Sequence, residues 1–395
     1  MEPKLRFKAD DGSQFPDWEE KTLGDIGTAK MCKRVLKEQT SEKGDVPFYK
    51  IGTFGGTPDA FISRELYEEL KTKYSFPRKG NILLSAAGTI GRTVVYDGQD
   101  AFFQDSNIVW LDNDDSVLDG FLLQFYNKTS WDNLEGGTIK RLYNGLFLSK
   151  VIHVPSLPEQ QKIAEFLSTI DTVIEKQKET VSAWEERKKG VMQKLFSQEI
   201  RFRADDGSEF PEWEEKKIGD LFYKVNERNN GQFGKDKWIS VAKMYYQDED
   251  KVTSNNIDTR TYVMRVGDMS FEGHPNKEFK YGRFVVNDIG DGIISELFPI
   301  YRHKENYILK YWKYAIQVDS IMQKVYRKSI TSSGSSSNKL DDDDFKRQSI
   351  LVPCLAEQQK IADCLSSLDE VIEKQKATLA AWEELKKGLL QQMFV

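Results

Sequence analysis

The chain is poor in the residue types that build catalytic and metal centres. Its 395 residues include only three histidines (His153, His274, His303) and three cysteines (Cys32, Cys354, Cys364). Neither set has the short spacings of a zinc site, and no metal site is expected. An odd cysteine count in a chain with no visible signal peptide reads as free thiols in a reducing cytoplasm. Cys354 and Cys364 read as small packed hydrophobes. No apolar run approaches the roughly 20 residues of a membrane helix. The GxxxxGK[ST] phosphate loop is absent, and Gly88-Thr-Ile-Gly91 reads as a turn rather than a dinucleotide fingerprint. The Asn/Asp-Pro-Pro-Tyr tetrapeptide that adenine methyltransferases use on a flipped base is also missing. The acidic run Asp341–Asp344 and the two Asp-Asp-Gly segments at Asp10 and Asp205 read as solvated turns. The chain is therefore expected not to be an enzyme in itself.

What is present suits two or three soluble domains. Hydrophobic residues make up 39%, aromatics 12% and charged residues 30%, with a mean hydropathy of −0.59. The net charge of −6 is unevenly placed. Residues 1–26 and 201–221 each hold four cations against seven carboxylates, whereas 27–150 are balanced at sixteen each and 222–350 hold twenty-one against eighteen. The acidic surplus avoids the two long stretches, which leaves them able to face a polyanion.

The strongest signal is an internal repeat. RFKADDGSQFPDWEEKTLGDI (Arg6 to Ile26) returns as RFRADDGSEFPEWEEKKIGDL (Arg201 to Leu221), identical at 15 of 21 positions. EQQKIAEFLSTIDTVIEKQKETVSAWEERKKGVMQKLF (Glu159 to Phe196) returns from Glu357 to Phe394, identical at 25 of 38. The offsets are 195 and 198 residues. Ile163, Ile170, Gln177, Trp184 and Val191 are spaced by sevens, with Leu167, Ile174, Val181 and Leu195 beside them. The second copy has Ile361, Leu368, Gln375, Trp382 and Leu389, with Leu365, Ile372, Leu379 and Met393. Such stripes predict two long helices paired as an antiparallel coiled coil, with the glutamines marking register. Pro155, Pro158 and Pro353 precede the helix starts. Trp184 and Trp382 are either packed in the seam or anchors for a partner subunit. Lys188, Lys189, Lys386 and Lys387 read as solvated faces.

The intervening blocks, 27–150 and 222–350, show no detailed likeness but a similar order of mixed α/β elements. Strands are expected at residues 81–85, 93–96, 238–242 and 284–286, and helices at 61–74, from 120 to 127, and over 306–328 as one long element. The loops offer groups that meet base edges and phosphates. In the first block these are Lys30, Lys33, Arg34, Lys50, Ser85, Thr89, Arg92, Gln104, Asn107, Lys140, Arg141 and Asn144. In the second they are Lys224, Arg228, Lys243, Tyr245, Tyr246, Lys277, Lys280, Arg283, Lys324, Arg327 and Lys328. Segments 136–144 and 329–338 are glycine- or serine-rich loops, the latter either a loop that orders on DNA or a linker, with the first favoured because 136–144 is also basic.

The doubled PxxEQQKIAxxLSxxDxxIEKQK, WEExKKGxxQxxF and FPxWEEKxxGD motifs resemble those of the specificity subunit (HsdS) of type I restriction–modification enzymes, and together they order the whole chain. The resemblance implies an α+β chain of two target recognition domains separated by two long helices, with a pseudo-twofold repeat. The domains run 1–150 (with motif 6–26) and 201–350 (with motif 201–221); the conserved helices run 151–200 and 351–395. It also implies that each domain reads half of a bipartite DNA site. The helices then dock two methyltransferase (HsdM) subunits and, through them, restriction (HsdR) subunits. S-adenosylmethionine, ATP and Mg would belong to those partners, with no cofactor in this chain. A coiled-coil scaffold without a DNA role is the alternative.

Overall fold

The computed structural model describes residues 3–131, 141–276, 279–331 and 337–394. The chain divides into two compact units, residues 1–179 with 377–395 (unit 1) and residues 180–376 (unit 2).

In unit 1 the repeated acidic motif supplies an edge strand, Glu19–Thr22, antiparallel to Val151–Val154. The chain then enters the central helix, Leu157–Phe196. Pro158 lies inside its first turn, where a missing N–H costs no hydrogen bond. Ile163, Leu167, Ile170 and Ile174 are buried with Leu390 and Met393 of the C-terminal helix, Leu355–Met393, and with Phe121, Phe125 and Phe147. The paired halves run antiparallel, since Lys178 meets Glu383 at 3.8 Å while Asp171 pairs with Lys386. The variable block is built on a four-stranded sheet in the order Gly27–Lys30, Ile108–Asn113, Ile82–Ser85, Thr93–Val95. A smaller three-stranded sheet packs with the helix Arg64–Lys73 around Phe48, Tyr67 and Phe102.

Unit 2 repeats this plan. Glu214–Lys217 pairs with Ser349–Val352. Its four-stranded sheet has the order Phe222–Val225, Ile300–His303, Met269–Glu272, Arg283–Val286, the same path through the sheet as in unit 1. Lys376 meets Glu185 at 2.9 Å and Lys188 meets Asp369 at 2.6 Å. These are the repeat counterparts of the two pairs in unit 1, so the helix halves of unit 2 also run antiparallel, as the stripes predict. Lys188 and Lys386 are consequently not solvated: their side chains are 21% and 15% exposed and hold the helix pairs. Lys189 and Lys387 are exposed.

Further expectations are corrected. The helix over 61–74 begins only at Arg64, because Phe61–Ile62 is an edge strand on Val46–Tyr49. The helix over 306–328 is two, Leu309–Ala315 and Asp319–Ser329. The break at residues 316–318 lets Tyr311 and Trp312 on one piece and Met322, Val325 and Tyr326 on the other reach one core, which a straight rod of about 35 Å would overshoot. The strand over 238–242 shrinks to Ile239–Ser240, paired with Tyr245–Tyr246. Asp341 caps the helix Asp342–Arg347 by accepting from the Asp344 N–H at 2.9 Å, so the acidic run is a helix start. Cys32 is buried, and that burial pushes its thiol up to about 12; Cys354 and Cys364 are only half-buried.

The blocks also share more detail than their sequences first suggest. Arg78-Lys-Gly-Asn81 and Arg265-Val-Gly-Asp268 form the same turn: the Asn81 and Asp268 side chains each accept the arginine's backbone N–H at 2.8 Å. Gly80 and Gly267 there have φ of +97° and +90°. Gly91-Arg-Thr-Val-Val and Gly282-Arg-Phe-Val-Val then open the next strand of each sheet, with φ of +87° and +85° at the glycines. A Cβ on Gly91 would lie 2.3 Å from Trp131, and one on Gly282 would lie 2.4 Å from the Glu272 carbonyl. Only glycine takes both the backbone angle and the close approach.

Candidate nucleic-acid interface

Each repeated acidic motif is clamped to its long helix by a buried carboxylate. Glu159, fully buried, accepts from Arg6 Nε at 3.1 Å, Arg6 Nη2 at 2.9 Å and Trp18 Nε1 at 3.1 Å. Glu357 accepts from Arg201 Nε at 3.2 Å, Arg201 Nη2 at 3.0 Å and Trp213 Nε1 at 3.1 Å. A buried carboxylate is tolerated only when paired in this way. The repeated motifs thus act as a frame, and the surfaces with free polar groups lie elsewhere.

In unit 1 those surfaces gather at one end of the four-stranded sheet. Arg34 pairs with Asp105 at 3.0 Å, Arg141 donates to the Ser106 carbonyl at 2.6 Å, and Arg92 donates to the Phe54 carbonyl at 2.7 Å. Gln104 accepts from the Ile51 N–H at 2.9 Å. These bonds join the loops around residues 34, 51–54, 87–92, 104–107 and 141 into one cluster. Among the described residues, the side chains of Thr89, Asn107 and Asn144 make no hydrogen bond, which leaves a hydroxyl and two amides for a ligand. Tyr143 beside them is 59% exposed. Ser85 is buried, with its hydroxyl held by Thr89 and Arg92 inside the hairpin, so it is no part of this surface. Lys30 is half-buried at a strand end, Lys33 lies 4.7 Å over the Tyr74 ring, and Lys50 pairs with Asp59 at 2.8 Å. Lys140 lies outside the described residues.

The corresponding loops of unit 2 carry different chemistry. Arg228 pairs with Glu296 at 2.5 Å, as Arg34 does with Asp105, and hydrogen bonds from Arg228 and Arg260 hold the Glu296 carboxyl below the usual carboxylate range. The Asn338 N–H donates to the Gly273 carbonyl at 2.8 Å, where unit 1 has Leu142 donating to Ala86 at 2.9 Å. These loops enclose an open cleft of about 600 Å³ lined by Lys224, Asn226, His274, Leu297, Asn338 and Lys339, among others. Of these only Lys224 is among the residues that the sequence singled out. The signal that would have found His274 is its place: it lies in the hairpin after the second strand of its sheet, where Thr89 lies in unit 1.

The remaining candidates scatter. Arg283 reaches the Ala242 carbonyl and lies 4.7 Å over the Phe279 ring, matching the bracing role of Arg92. Tyr246 donates to the Asp291 carbonyl at 2.9 Å, whereas Tyr245 is 47% exposed beside the exposed Lys243. Lys280 is exposed. Lys324 and Arg327 line a groove with Lys189 and Lys194, and Lys328 is exposed on the same helix. Lys277 and residues 332–336 lie outside the described residues, and 136–140 do likewise. Trp184 is half-buried under Arg187, 5.2 Å from its ring, and Trp382 packs partly on the core of unit 1. Among the described residues no group of histidine, cysteine and carboxylate side chains has the arrangement of a metal site, and no helix is long and apolar enough to cross a membrane.

Comparison with known proteins agrees with this architecture. The model of the type I restriction modification DNA specificity domain matches residues 16–182 and again 211–381. The chain belongs to that family. A putative type I restriction enzyme specificity subunit of Haemophilus influenzae, S.HindORF215P, is 56% identical over 152 residues, 38% of this chain and 40% of that protein. The chain therefore matches well under two thirds of that relative's length. The type I restriction enzyme MjaVIII specificity subunit of Methanocaldococcus jannaschii is 23% identical over 97% of this chain and 94% of its own length. The crystal structure of a type I restriction–modification S subunit from M. genitalium shares the fold, with a TM-score of 0.56 at 16% identity over 100% of this chain and 99% of that one.

Proposed function

We propose that the chain is the non-catalytic, DNA-reading subunit of a type I restriction–modification complex in the cytoplasm. The observation that carries this reading is that two sheets of identical strand order, clamped to the long helices by identical Arg–Glu–Trp sets, present dissimilar polar loop clusters. Each cluster reads one half of a bipartite, non-palindromic site, with lysine and hydroxyl groups on phosphates and arginine and amides on base edges. The long helices set the gap between the halves and dock two methyltransferase subunits, with Trp184 and Trp382 as anchors, and restriction subunits join through those. S-adenosylmethionine, ATP and Mg act in the partners.

The test is an exchange of residues 27–150 for the block of another family member, in the full chain expressed with its methyltransferase. Mapping N6-methyladenine across the host genome should show one half-site replaced and the other retained. Replacement of both halves, or of neither, would refute independent reading. Adding one or two helical turns after Gln177 should lengthen the gap while leaving both half-sites unchanged.

A further inference from the structure

We infer that Arg34 in unit 1 and Arg260 in unit 2 are specificity-determining residues, each reading a guanine in its own half-site. This rests on the DNA-reading function proposed above. Arg34 donates from Nε to Asp105 Oδ2 at 3.0 Å, and Arg260 donates from Nε to Glu296 Oε1 at 3.2 Å. The arginine side chains are 68% and 67% exposed, against 16% and 25% for the two carboxylates. Among the described residues these are the two arginines bonded through Nε alone, and their Nη groups make no hydrogen bond. Arg78, by contrast, spends both Nη groups on Asp119 at 2.5 and 3.2 Å. The carboxylates are held in turn. The Ser106 hydroxyl donates to Asp105 Oδ2 at 3.2 Å. Arg228 donates to Glu296 Oε2 at 2.5 Å, and the Glu296 N–H donates to the Arg260 carbonyl at 3.0 Å. Each exposed guanidinium is therefore fixed along one edge and keeps its Nη donors for a ligand.

A guanidinium stays protonated and only donates. In the major groove guanine presents two acceptors, N7 and O6, whereas every other base presents a donor or a single acceptor. A planar fork of fixed orientation matches the guanine pair bidentately. A phosphate contact needs no such orientation, and the carboxylate beside each arginine offsets the charge that phosphate binding uses. Arg34 stands in the loop cluster that holds the free Asn107 amide, and Glu296, which holds Arg260, lines the cleft with Lys224. The two units reach this arrangement from different elements. Arg34 follows the strand Gly27–Lys30, and Arg260 precedes the strand Thr261–Met264. Arg228, at the place of Arg34 in unit 2, is consumed in bracing: its Nη1 also donates to the Thr259 carbonyl at 2.7 Å, and its guanidinium lies 4.6 Å over the Tyr262 ring.

The test uses the full chain with its methyltransferase subunits, with methylated adenines mapped genome-wide and the two half-sites assigned by the block exchange. Each half-site should contain a guanine. Arg34→Ala should make that position degenerate in the half-site read through residues 27–150, a loss on the order of 10-fold in discrimination, with every other position retained. Arg260→Ala should do the same in the other half-site alone. Arg34→Gln, whose amide pairs with adenine, should turn the position from guanine to adenine, and it decides the case if the alanine variant directs no methylation. Asp105→Ala should weaken the guanine preference, because the fork loses its support. A half-site that lacks guanine, or alanine variants that lower methylation at every site with all base preferences unchanged, would overturn the inference while leaving the DNA-reading function standing. A wild-type chain that directs no sequence-specific methylation would overturn that function itself.

Discussion

The clamp distances in unit 1 are 3.1, 2.9 and 3.1 Å, and in unit 2 they are 3.2, 3.0 and 3.1 Å. The loops at residues 104–107 and 296–299 occupy the same place before the same strand, yet one reads Gln-Asp-Ser-Asn and the other Glu-Leu-Phe-Pro. The two units are therefore alike where side chains hold the chain together and unlike where side chains face outward. A buried carboxylate admits few partners, whereas a loop fastened at both ends tolerates almost any tip. That difference allows one frame to carry two readers.

The comparison breaks most visibly at the clamps. Glu159→Ala and Glu357→Ala should each destabilise their own unit by about 3 kcal/mol, by leaving the indole N–H unpaired and removing the carboxylate from an arginine that keeps only its backbone or surface partners. Hydrogen exchange resolved by unit should show equal losses, and a clear inequality would mean that the frames are not equivalent. Gly91→Ala and Gly282→Ala come next, at about 2 kcal/mol each, because both combine positive φ with a blocked Cβ; urea unfolding of the two variants is the check.

A third experiment separates the units. His303 lies against Phe222 and stacks on Tyr307 at 3.8 Å, and burial lowers its pKa to about 3. The unfolded chain binds a proton there below about pH 6.5, while the folded chain does so only near pH 3. Unit 2 should thus lose stability as pH falls through that window, by up to about 1.4 kcal/mol per pH unit. His303→Phe should remove this slope, and an unchanged slope would show that other groups cause it. The smallest effect belongs to the helix pairs. Lys188→Met and Lys386→Met should cost about 0.5–1 kcal/mol each, with the two values matching because each lysine meets the aspartate of the same repeat position.

Much of the frame was legible from the residues alone. The 195- and 198-residue offsets, the heptad stripes and the acidic motif located both long helices and both blocks, because a near-identical segment must fold in the same way twice. The common sheet order is suggested by the order of elements, whereas the RxG[ND] turn and the GRxVV strand start are too short to stand out between unlike neighbours. The break at residues 316–318 was hidden because no proline or glycine marks it; a shared core imposes it.

The candidate surface was legible only as a list of residue types. Ser85 and Asn107 are both small polar loop residues in sequence, yet one is sealed inside a hairpin and the other has a free amide. By itself the sequence determined the family, the duplicated frame and the position of the two variable blocks, because those depend on local periodicity and on repetition. The tertiary structure alone decided which polar groups are consumed in bracing and which face outward, as it sealed Ser85 inside a hairpin and left the Asn107 amide free. Those properties depend on partners that lie far apart along the chain, as Arg34 does from Asp105 or Asn338 from Gly273.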